Sequence, residues 1–452
     1  MDLCYYYVLP YRLQCLVTSV AAKMKNRKKY GKTYHDIFQF LTTHNVTEQQ
    51  SEAALELNDF LRYIAEASSV YRSYFSGDLK VEDFPVIDKS FVVANHLNLQ
   101  CGKPFVIGKT SGTSGQPLKI PYSRYVYQKE YAFWWYHRSF GGVKQGDRIA
   151  TIAGHKIVDA RRVSPPFWVY NEEDKQMFFS SYHLSEPNMK YYVEQLNSFH
   201  PEFIHGYPSS IFFIARYINE SGYTLKFRPK MITTSSETLN DFQREVIEKA
   251  FACKVYILYG NAEFCGHITE CPQGRLHVQP FHSLVRILKD DNIDAAPGEV
   301  GRIVATNFSN YTFPLVNYDL KDLVKVSTNQ TCSCAKGGLI VDYIIGRVED
   351  YIVTPDGRYV GRLSQLFKDV RYVKNGQIIQ DEPRSITIRV ERSDHYSQAV
   401  EKDILREARQ RLGEKIEITF DYENPILKEA NGKFRYIVQN QKLTISGSSK
   451  VS

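Results

Sequence analysis

From residue 105 to about residue 313 the chain alternates short apolar runs with stretches long enough to be helices, and no other feature limits its fold so strongly. Phe105-Val106-Ile107, Met231-Ile232-Thr233 and Val255-Tyr256-Ile257-Leu258 each read as a strand, and the segments at 208–220 and 239–252 have helical length. Strand and helix in turn predict an α/β domain with helices packed on a sheet. The flanks read differently. Residues 1–85 predict helices: Thr47 and Gln50 stand at capping-box spacing, and Leu57, Leu61, Ile64 and Ala65 follow at helical spacing. Residues 86–104 predict turns and short extended pieces. Past Gly346, residues 385–391 predict a strand, 397–412 an amphipathic helix and 417–420 a second strand, which together make a small α+β domain. The expected division is a large domain over 1–346, a small one over 347–445, and a frayed polar tail at 446–452.

Composition excludes several function classes. With 43% hydrophobic and 24% charged residues, the 452-residue chain is neither disordered nor fibrous. Lys and Arg exceed Asp and Glu by 57 to 50, and this excess is spread along the chain, which argues against a nucleic-acid binder. The basic run Lys23-Met24-Lys25-Asn26-Arg27-Lys28-Lys29 supports at most a peripheral attraction to anionic lipid, and a solvated face is its plainer reading. No stretch approaches the roughly 18 apolar residues of a spanning helix, and a cytoplasmic location is expected. Eight cysteines in a chain of this length are too sparse for a secreted disulfide framework, so reduced thiols are expected, some of them on a metal.

The segment Thr110-Ser111-Gly112-Thr113-Ser114-Gly115-Gln116-Pro117-Leu118-Lys119 follows a predicted strand and precedes a long aromatic helix. Its small residues let backbone N–H groups and hydroxyls wrap phosphate oxygens, and a lysine adds positive charge. A plain polar loop is the alternative. A P-loop is excluded by register: Gly108-Lys109-Thr110 supplies the end of that motif, but Lys103 stands where its first glycine is required. Cys271-x5-His277 and Cys332-x-Cys334 offer two ligand pairs from separate turns, as a closed Cys3His zinc site requires, with free cysteines as the alternative and Cys265 as a substitute ligand. Tyr127, Tyr131, Trp134, Trp135 and Tyr136 read as core or as the lining of a carboxylate pocket, and His205 and Tyr207 as structural or as facing an acyl group.

The hydroxyl-rich loop resembles the signature of the adenylate-forming superfamily, and other motifs follow in that family's order. Tyr259-Gly260-Asn261-Ala262-Glu263 resembles its Y-G-x-T-E, and Gly298-Glu299-Val300-Gly301-Arg302-Ile303 its G-E-x-G-x-I. Ile345-Gly346-Arg347-Val348-Glu349-Asp350 resembles its hinge, and Asn431-Gly432-Lys433 its closing lysine motif. Within the superfamily the chain is most similar to the phenylacetate–coenzyme A ligase branch, and specifically to the CapK-type proteins of capsular polysaccharide biosynthesis. The helical N-terminal segment, His205-Gly206-Tyr207-Pro208-Ser209, Thr234-Ser235-Ser236-Glu237-Thr238 and Asn431-Gly432-Lys433-Phe434-Arg435 carry this likeness.

The resemblance implies a large adenylate-forming domain followed by a small mobile one, and an ATP-dependent activation of a carboxylate with transfer to a thiol, such as coenzyme A, or to an amine. It implies that Thr110, Ser111, Gly112, Thr113, Ser114 and Gly115 with Lys119 enclose the ATP phosphates and that Glu263 holds Mg²⁺. Tyr259 would stack on adenine with Ser236, Glu237 and Gly260 around it, Asp322 would hold the ribose, Arg347 would sit over ribose and phosphate, Glu349 would be the hinge, and Lys433 would reach the reacting carboxylate. Similar Cys and His positions occur in the branch, which bears on Cys271, His277, Cys332 and Cys334. The chain also departs from the pattern: Asn317-Tyr318-Asp319-Leu320-Lys321-Asp322 lacks the family's arginine and its Thr-Gly pair, Ala262 replaces a hydroxyl, and Glu349 replaces Asp. A catalytically weakened nucleotide-binding scaffold in a polysaccharide assembly complex is the second reading these departures leave open.

Overall fold

The computed structural model describes residues 3–74, 80–110, 118–155, 157–159, 161–334, 336–347, 352–355, 359–360, 363–367, 372–382, 384–426 and 435–439. It divides into two compact units, one of Met1–Leu239 with Arg244–Ile344 and one of Asn240–Gln243 with Ile345–Ser452. Helices Tyr11–Lys29, Lys32–Thr43 and Val46–Ala67 build the N-terminal segment of the first unit. The capping box of the third helix is Asn45 with Glu48, not Thr47 with Gln50: Asn45 Oδ1 accepts from the Glu48 N–H and Glu48 Oε2 from the Asn45 N–H. Asn45 has extended backbone angles and is the residue that leaves the helix, which places the cap two positions earlier than the pattern alone. Residues 86–104 also differ from expectation, since they carry the helices Lys89–Ala94, capped by the Asp88 carboxylate on the Phe91 N–H, and His96–Leu99.

A hairpin of β1 (Val106–Lys109) and β2 (Lys119–Tyr122) precedes the helix Arg124–Ser139. The remaining strands of the unit are β3 (Ile149–Ala153), β4 (Trp168–Asn171), β5 (Gln176–Ser180), β6 (Phe203–Gly206), β7 (Met231–Thr234), β8 (Val255–Tyr259), β9 (Ile268–Glu270), β10 (Leu276–Val278), β11 (Leu284–Leu288), β12 (Val300–Asn307), β13 (Leu315–Val326) and β14 (Ile340–Arg347). They form one sheet in the order β11-β12-β13-β14-β10-β9-β8-β7-β6-β3-β5-β4. Its run β5-β3-β6-β7-β8 is parallel. Both faces of that run are buried, which is why its strands read as continuous apolar stretches and not as alternating ones. Ile149, Phe203, Met231 and Tyr256 pack on one face with Phe133, Trp135 and Tyr136 of helix Arg124–Ser139. Their neighbours Ala150, Ile204, Ile232 and Val255 pack on the other, against Tyr192, Val193 and Leu196 of Met189–Phe199 and Ile211, Ile214 and Ile218 of Pro208–Ser221.

A buried ion pair helps to fix the N-terminal helices to this body. Lys129 is 1% exposed; its Nζ lies 2.5 Å from Glu56 Oε2 and 2.9 Å from Ser309 Oγ, and 3.8 Å from the centre of the Phe281 ring. Breaking a buried pair leaves the partner's charge uncompensated, so Lys129→Met is expected to cost about 3–5 kcal/mol, read as a lower urea midpoint. A loss under about 1 kcal/mol would show that the pair is exchanged for water at no cost.

The second unit holds β15 (Ile352–Val353), β16 (Tyr359–Val360), β17 (Val373–Glu382), β18 (Ser385–Arg392), β19 (Glu417–Asp421) and β20 (Ile437–Gln439), with a four-stranded sheet in the order β19-β18-β17-β20. Helix Gln398–Leu412 packs Ile404, Ala408 and Leu412 at four-residue spacing on Ile378, Ile386 and Ile388. Among the described residues no helix is long and apolar enough to cross a membrane.

Candidate active site

Because β3, β6, β7 and β8 run parallel, their carboxyl ends open at one edge, where open α/β sheets bind ligands. The residues that leave these ends are Gly154 and His155 after β3, Tyr207 after β6, Ser235-Ser236-Glu237 after β7, and Gly260 to Glu263 after β8. Gly206 is required at this edge, since a Cβ there would lie 2.1 Å from the Ile152 carbonyl oxygen. Ser236 turns the chain in the left-handed region, with φ of 70°. Glu237 Oε2 accepts from the Ser209 N–H at 3.1 Å, in the first turn of Pro208–Ser221, where a carboxylate complements the helix dipole.

The turn after β8 is held from several sides. Asn261 Oδ1 accepts from the Cys265 N–H at 3.0 Å while its Nδ2 donates to the Cys265 carbonyl, closing an Asx-type turn. Asn307 Nδ2 donates to the Phe264 carbonyl at 2.7 Å, and the Tyr122 hydroxyl of β2 donates to the Ala262 carbonyl while its ring stacks on Phe264 at 4.3 Å. Two acidic groups are thereby fixed. The Tyr259 hydroxyl donates to Asp322 Oδ2 at 2.6 Å, and the Tyr318 hydroxyl to Glu263 Oε1 at 3.2 Å. Burial first, and then the Asp322 charge, hold the Tyr259 phenol well above its ordinary pKa, so it remains a donor. Tyr259, Glu263, Tyr318 and Asp322 thus stand together across β8 and β13.

The departures at 317–322 make contacts of their own. Asn317 Nδ2 donates to the carbonyls of Val81 and Phe84 at 2.7 and 2.9 Å, tying the 81–87 segment to β13. Lys321 takes a φ of 59° at an irregular stretch of β13, where the family pattern has glycine, and its Nζ pairs with Asp319 at 2.7 Å.

Thr110 follows β1, and its Oγ1 accepts from the Leu118 N–H at 3.0 Å, so Thr110 and Leu118 close the base of the hydroxyl-rich loop. Lys119 opens β2 opposite Lys109. Ser111, Gly112, Thr113, Ser114 and Gly115 lie outside the described residues, as do Glu349 and Lys433; Arg347 ends β14.

Four ligand atoms from Cys271, His277, Cys332 and Cys334 lie within 4.8 Å of one another. The Cys271 and Cys332 sulfurs are 3.8 Å apart, and Cys334 Sγ is 3.3 Å from His277 Nε2. A tetrahedron with Zn–S near 2.3 Å has an edge of about 3.8 Å, so the donor set fits a zinc ion. Burial lowers the pKa of His277, keeping it neutral, as a ligand must be. A second group escaped the sequence reading: Glu130 accepts from Trp134 Nε1 and from His282 Nε2, both at 2.7 Å, beside a wholly buried His267. The two imidazoles are stacked with rings 4.8 Å apart and 25° from parallel, the ligand atoms of the three residues lie within 4.8 Å of one another, and among the described residues neither nitrogen of His267 has a hydrogen-bond partner. No spacing rule joins position 130 to 267 and 282.

Comparison with known proteins agrees with this geometry. Residues 352–440 match the CapK C-terminal domain family. The chain is 27% identical over 450 residues to a protein named CapK from Staphylococcus aureus, covering 96% of this chain and 98% of that one. It is 25% identical over 167 residues to phenylacetate–coenzyme A ligase of Thermus thermophilus, covering 36% and 37% of the two chains. Among solved structures, 2-hydroxyisobutyryl-CoA ligase in the postadenylation state superposes with a TM-score of 0.65 at 16% identity, over 88% of this chain and 91% of that one. With the ordered motifs from Thr110 to Lys433, the chain is thus similar over nearly its whole length to CapK, matches the CapK C-terminal domain family over residues 352–440, and shares a shorter likeness with phenylacetate–coenzyme A ligase.

Proposed function

We propose that the protein activates a carboxylate at the expense of ATP. A carboxylate oxygen attacks the α-phosphorus, the bond to the β-phosphate oxygen breaks, and pyrophosphate leaves; a thiol or amine then attacks the acyl carbon and AMP leaves. The observation that carries this reading is the placement of Tyr259, Glu263, Tyr318 and Asp322 together at the carboxyl edge of the parallel strands. Tyr259 presents a ring to adenine and Asp322 an acceptor to the ribose hydroxyls. Thr110 and Lys119, with Ser111 to Gly115 between them, would enclose the phosphates. Arg347 would cover the ribose and α-phosphate, and Lys433 would reach the reacting oxygen. Mg²⁺ bound at Glu263 would neutralise phosphate charge. Coenzyme A is the favoured acceptor, supported by the solved 2-hydroxyisobutyryl-CoA ligase, which binds both its acyl-adenylate and coenzyme A. The CapK likeness supports a place in cell-surface polysaccharide assembly, and the large unit is read as the ATP and acyl domain and the small one as its mobile partner. The Cys271, His277, Cys332 and Cys334 cluster is read as a structural zinc site.

The contacts of Asn317 and Lys321 give two of the departures a structural use, which favours the enzyme over the scaffold reading. Pyrophosphate release with ATP and a panel of carboxylates tests the proposal: release that depends on a carboxylate is expected, and none with any acid in the panel would favour the scaffold. Glu263→Gln is expected to weaken the dependence of the rate on Mg²⁺ and leave the melting temperature nearly unchanged. A large thermal shift with full activity would make Glu263 structural.

A further inference from the structure

Phe203 and His205 are alternate residues of β6 and share the sheet face covered by helix Arg124–Ser139; their rings lie 6.3 Å apart and 19° from parallel. Arg138 of that helix places its guanidinium carbon 5.0 Å from the centre of the Phe203 ring and 4.7 Å from that of Trp135. Trp135 Nε1 donates to the Tyr30 hydroxyl at 3.2 Å, and the Tyr30 ring packs 6.2 Å from Tyr131. Lys29, next to Tyr30, holds its Nζ 4.8 Å from the Tyr131 ring centre. Two cations are therefore gathered among aromatic rings on the face of β6, with His205 beside them and His155 just past the end of the adjoining β3.

Among the described residues neither cation has a carboxylate partner within 4.0 Å or a side-chain hydrogen bond. The nearest acid to act on them, Asp174, is already engaged by Asn26 Nδ2 at 2.6 Å and Asn171 Nδ2 at 2.8 Å. Enclosing two like charges without a counter-ion is costly. Burial lowers the pKa of Arg138, and burial with the neighbouring charges of Lys25 and Arg138 brings Lys29 down to about 8, against the opposing pull of Asp174. Both still carry charge at neutral pH. His205, held to about 3 by burial and by the charge of Arg138, is neutral, and its ring is bonded to the Thr233 backbone. Arg138, Lys29 and His205 are half-buried and His155 is exposed; His155 follows β3 and His205 stands one residue before the end of β6, so the cluster runs from the carboxyl edge down the face of β6 to Phe203. One strand separates β6 from β8, and the register through β7 sets Phe203 about five residues short of Tyr259, so the cations lie deeper along the sheet than the Tyr259 turn.

We propose that Arg138 and Lys29, with His205 and His155, bind a second anionic group on the acid that the enzyme adenylates, so that the substrate class is a short acid with a carboxylate or phosphate at its far end. This rests on the adenylation reading. A fork of guanidinium donors matches either anion, and an acid with an uncharged tail would leave both cations unpaired.

The test compares pentanoate, adipate and phosphogluconate in ATP–pyrophosphate exchange with wild type, Arg138→Gln, Arg138→Lys and Lys29→Gln. Adipate or phosphogluconate is expected to exceed pentanoate in kcat/KM by about tenfold or more, and the one that does so identifies the distal group as carboxylate or phosphate. Arg138→Gln should raise KM for that acid about tenfold with kcat and the pentanoate constants unchanged, Arg138→Lys should recover part of the loss, and Lys29→Gln, which touches fewer core rings, should repeat the effect if Arg138→Gln does not fold. Equal or better use of pentanoate, or equal loss for all acids, would overturn the proposal. Should wild type exchange with none of the acids, the adenylation reading fails, and calorimetric titration of adipate and phosphogluconate decides the site separately: binding to wild type that Lys29→Gln weakens supports it, and absence of binding overturns it.

Discussion

Lys433→Ala is expected to lower adenylate formation at least about a hundredfold and leave the melting temperature almost unchanged. A positive group that meets the carboxylate and α-phosphate only as charge redistributes between them acts on the transition state, and losing one such contact typically costs about 10²–10³ in rate. The described core of the second unit, built from Ile378, Ile386, Ile388, Ile404 and Leu412, stands without the Asn431-Gly432-Lys433 segment. A variant given a synthetic acyl-adenylate should still pass the acyl group to its acceptor, because that half-reaction forms no bond to phosphorus. Wild-type exchange of pyrophosphate into ATP by Lys433→Ala would remove this residue from the mechanism.

If the cysteine and histidine cluster holds the zinc proposed for it, removing that metal should produce the largest thermal effect. Cys271 follows β9 and His277 lies in β10, while Cys332 and Cys334 lie in the connection between β13 and β14, so an ion there would join segments some 61 residues apart in sequence where neighbouring strands of the sheet meet. Cys271→Ser, or prolonged exposure to a strong chelator, is expected to cost at least about 3 kcal/mol, several degrees in melting temperature for a unit of this size. Protons compete with the ion for thiolate and imidazole, so the stabilisation should be present at neutral pH and be lost as pH falls. Elemental analysis should find one zinc per chain. A chain purified without chelators that holds none, and whose melting temperature ignores the chelator, would leave four free side chains and no staple.

The sequence shows most of the architecture because parallel strands buried on both faces are written as unbroken apolar runs, as in Val255-Tyr256-Ile257-Leu258, and the helix Gln398–Leu412 repeats its apolar residues every turn. Caps are less legible, since Asn45/Glu48 and Thr47/Gln50 share one spacing and only the extended angles of Asn45 choose between them. Short helices such as Lys89–Ala94 hide behind Val92 and Val93, which favour strands when read alone. At the site, motif order points to Tyr259, Glu263 and Asp322, which the structure sets side by side, whereas the bond from the Ser209 N–H to Glu237 has no signal in the sequence. Arg138, Lys29 and His205 leave no trace in any spacing, because a helix, a helix end and a strand from three parts of the chain bring them together.

The central claim is that a carboxylate oxygen becomes bonded to the α-phosphorus of ATP. Turning over a carboxylate labelled with heavy oxygen, in the presence of acceptor, and weighing the nucleotide product by mass spectrometry tests this most directly. The account predicts AMP that carries one labelled oxygen, left behind when the acceptor takes the acyl group. AMP without label, or ADP and phosphate as the products, would contradict it.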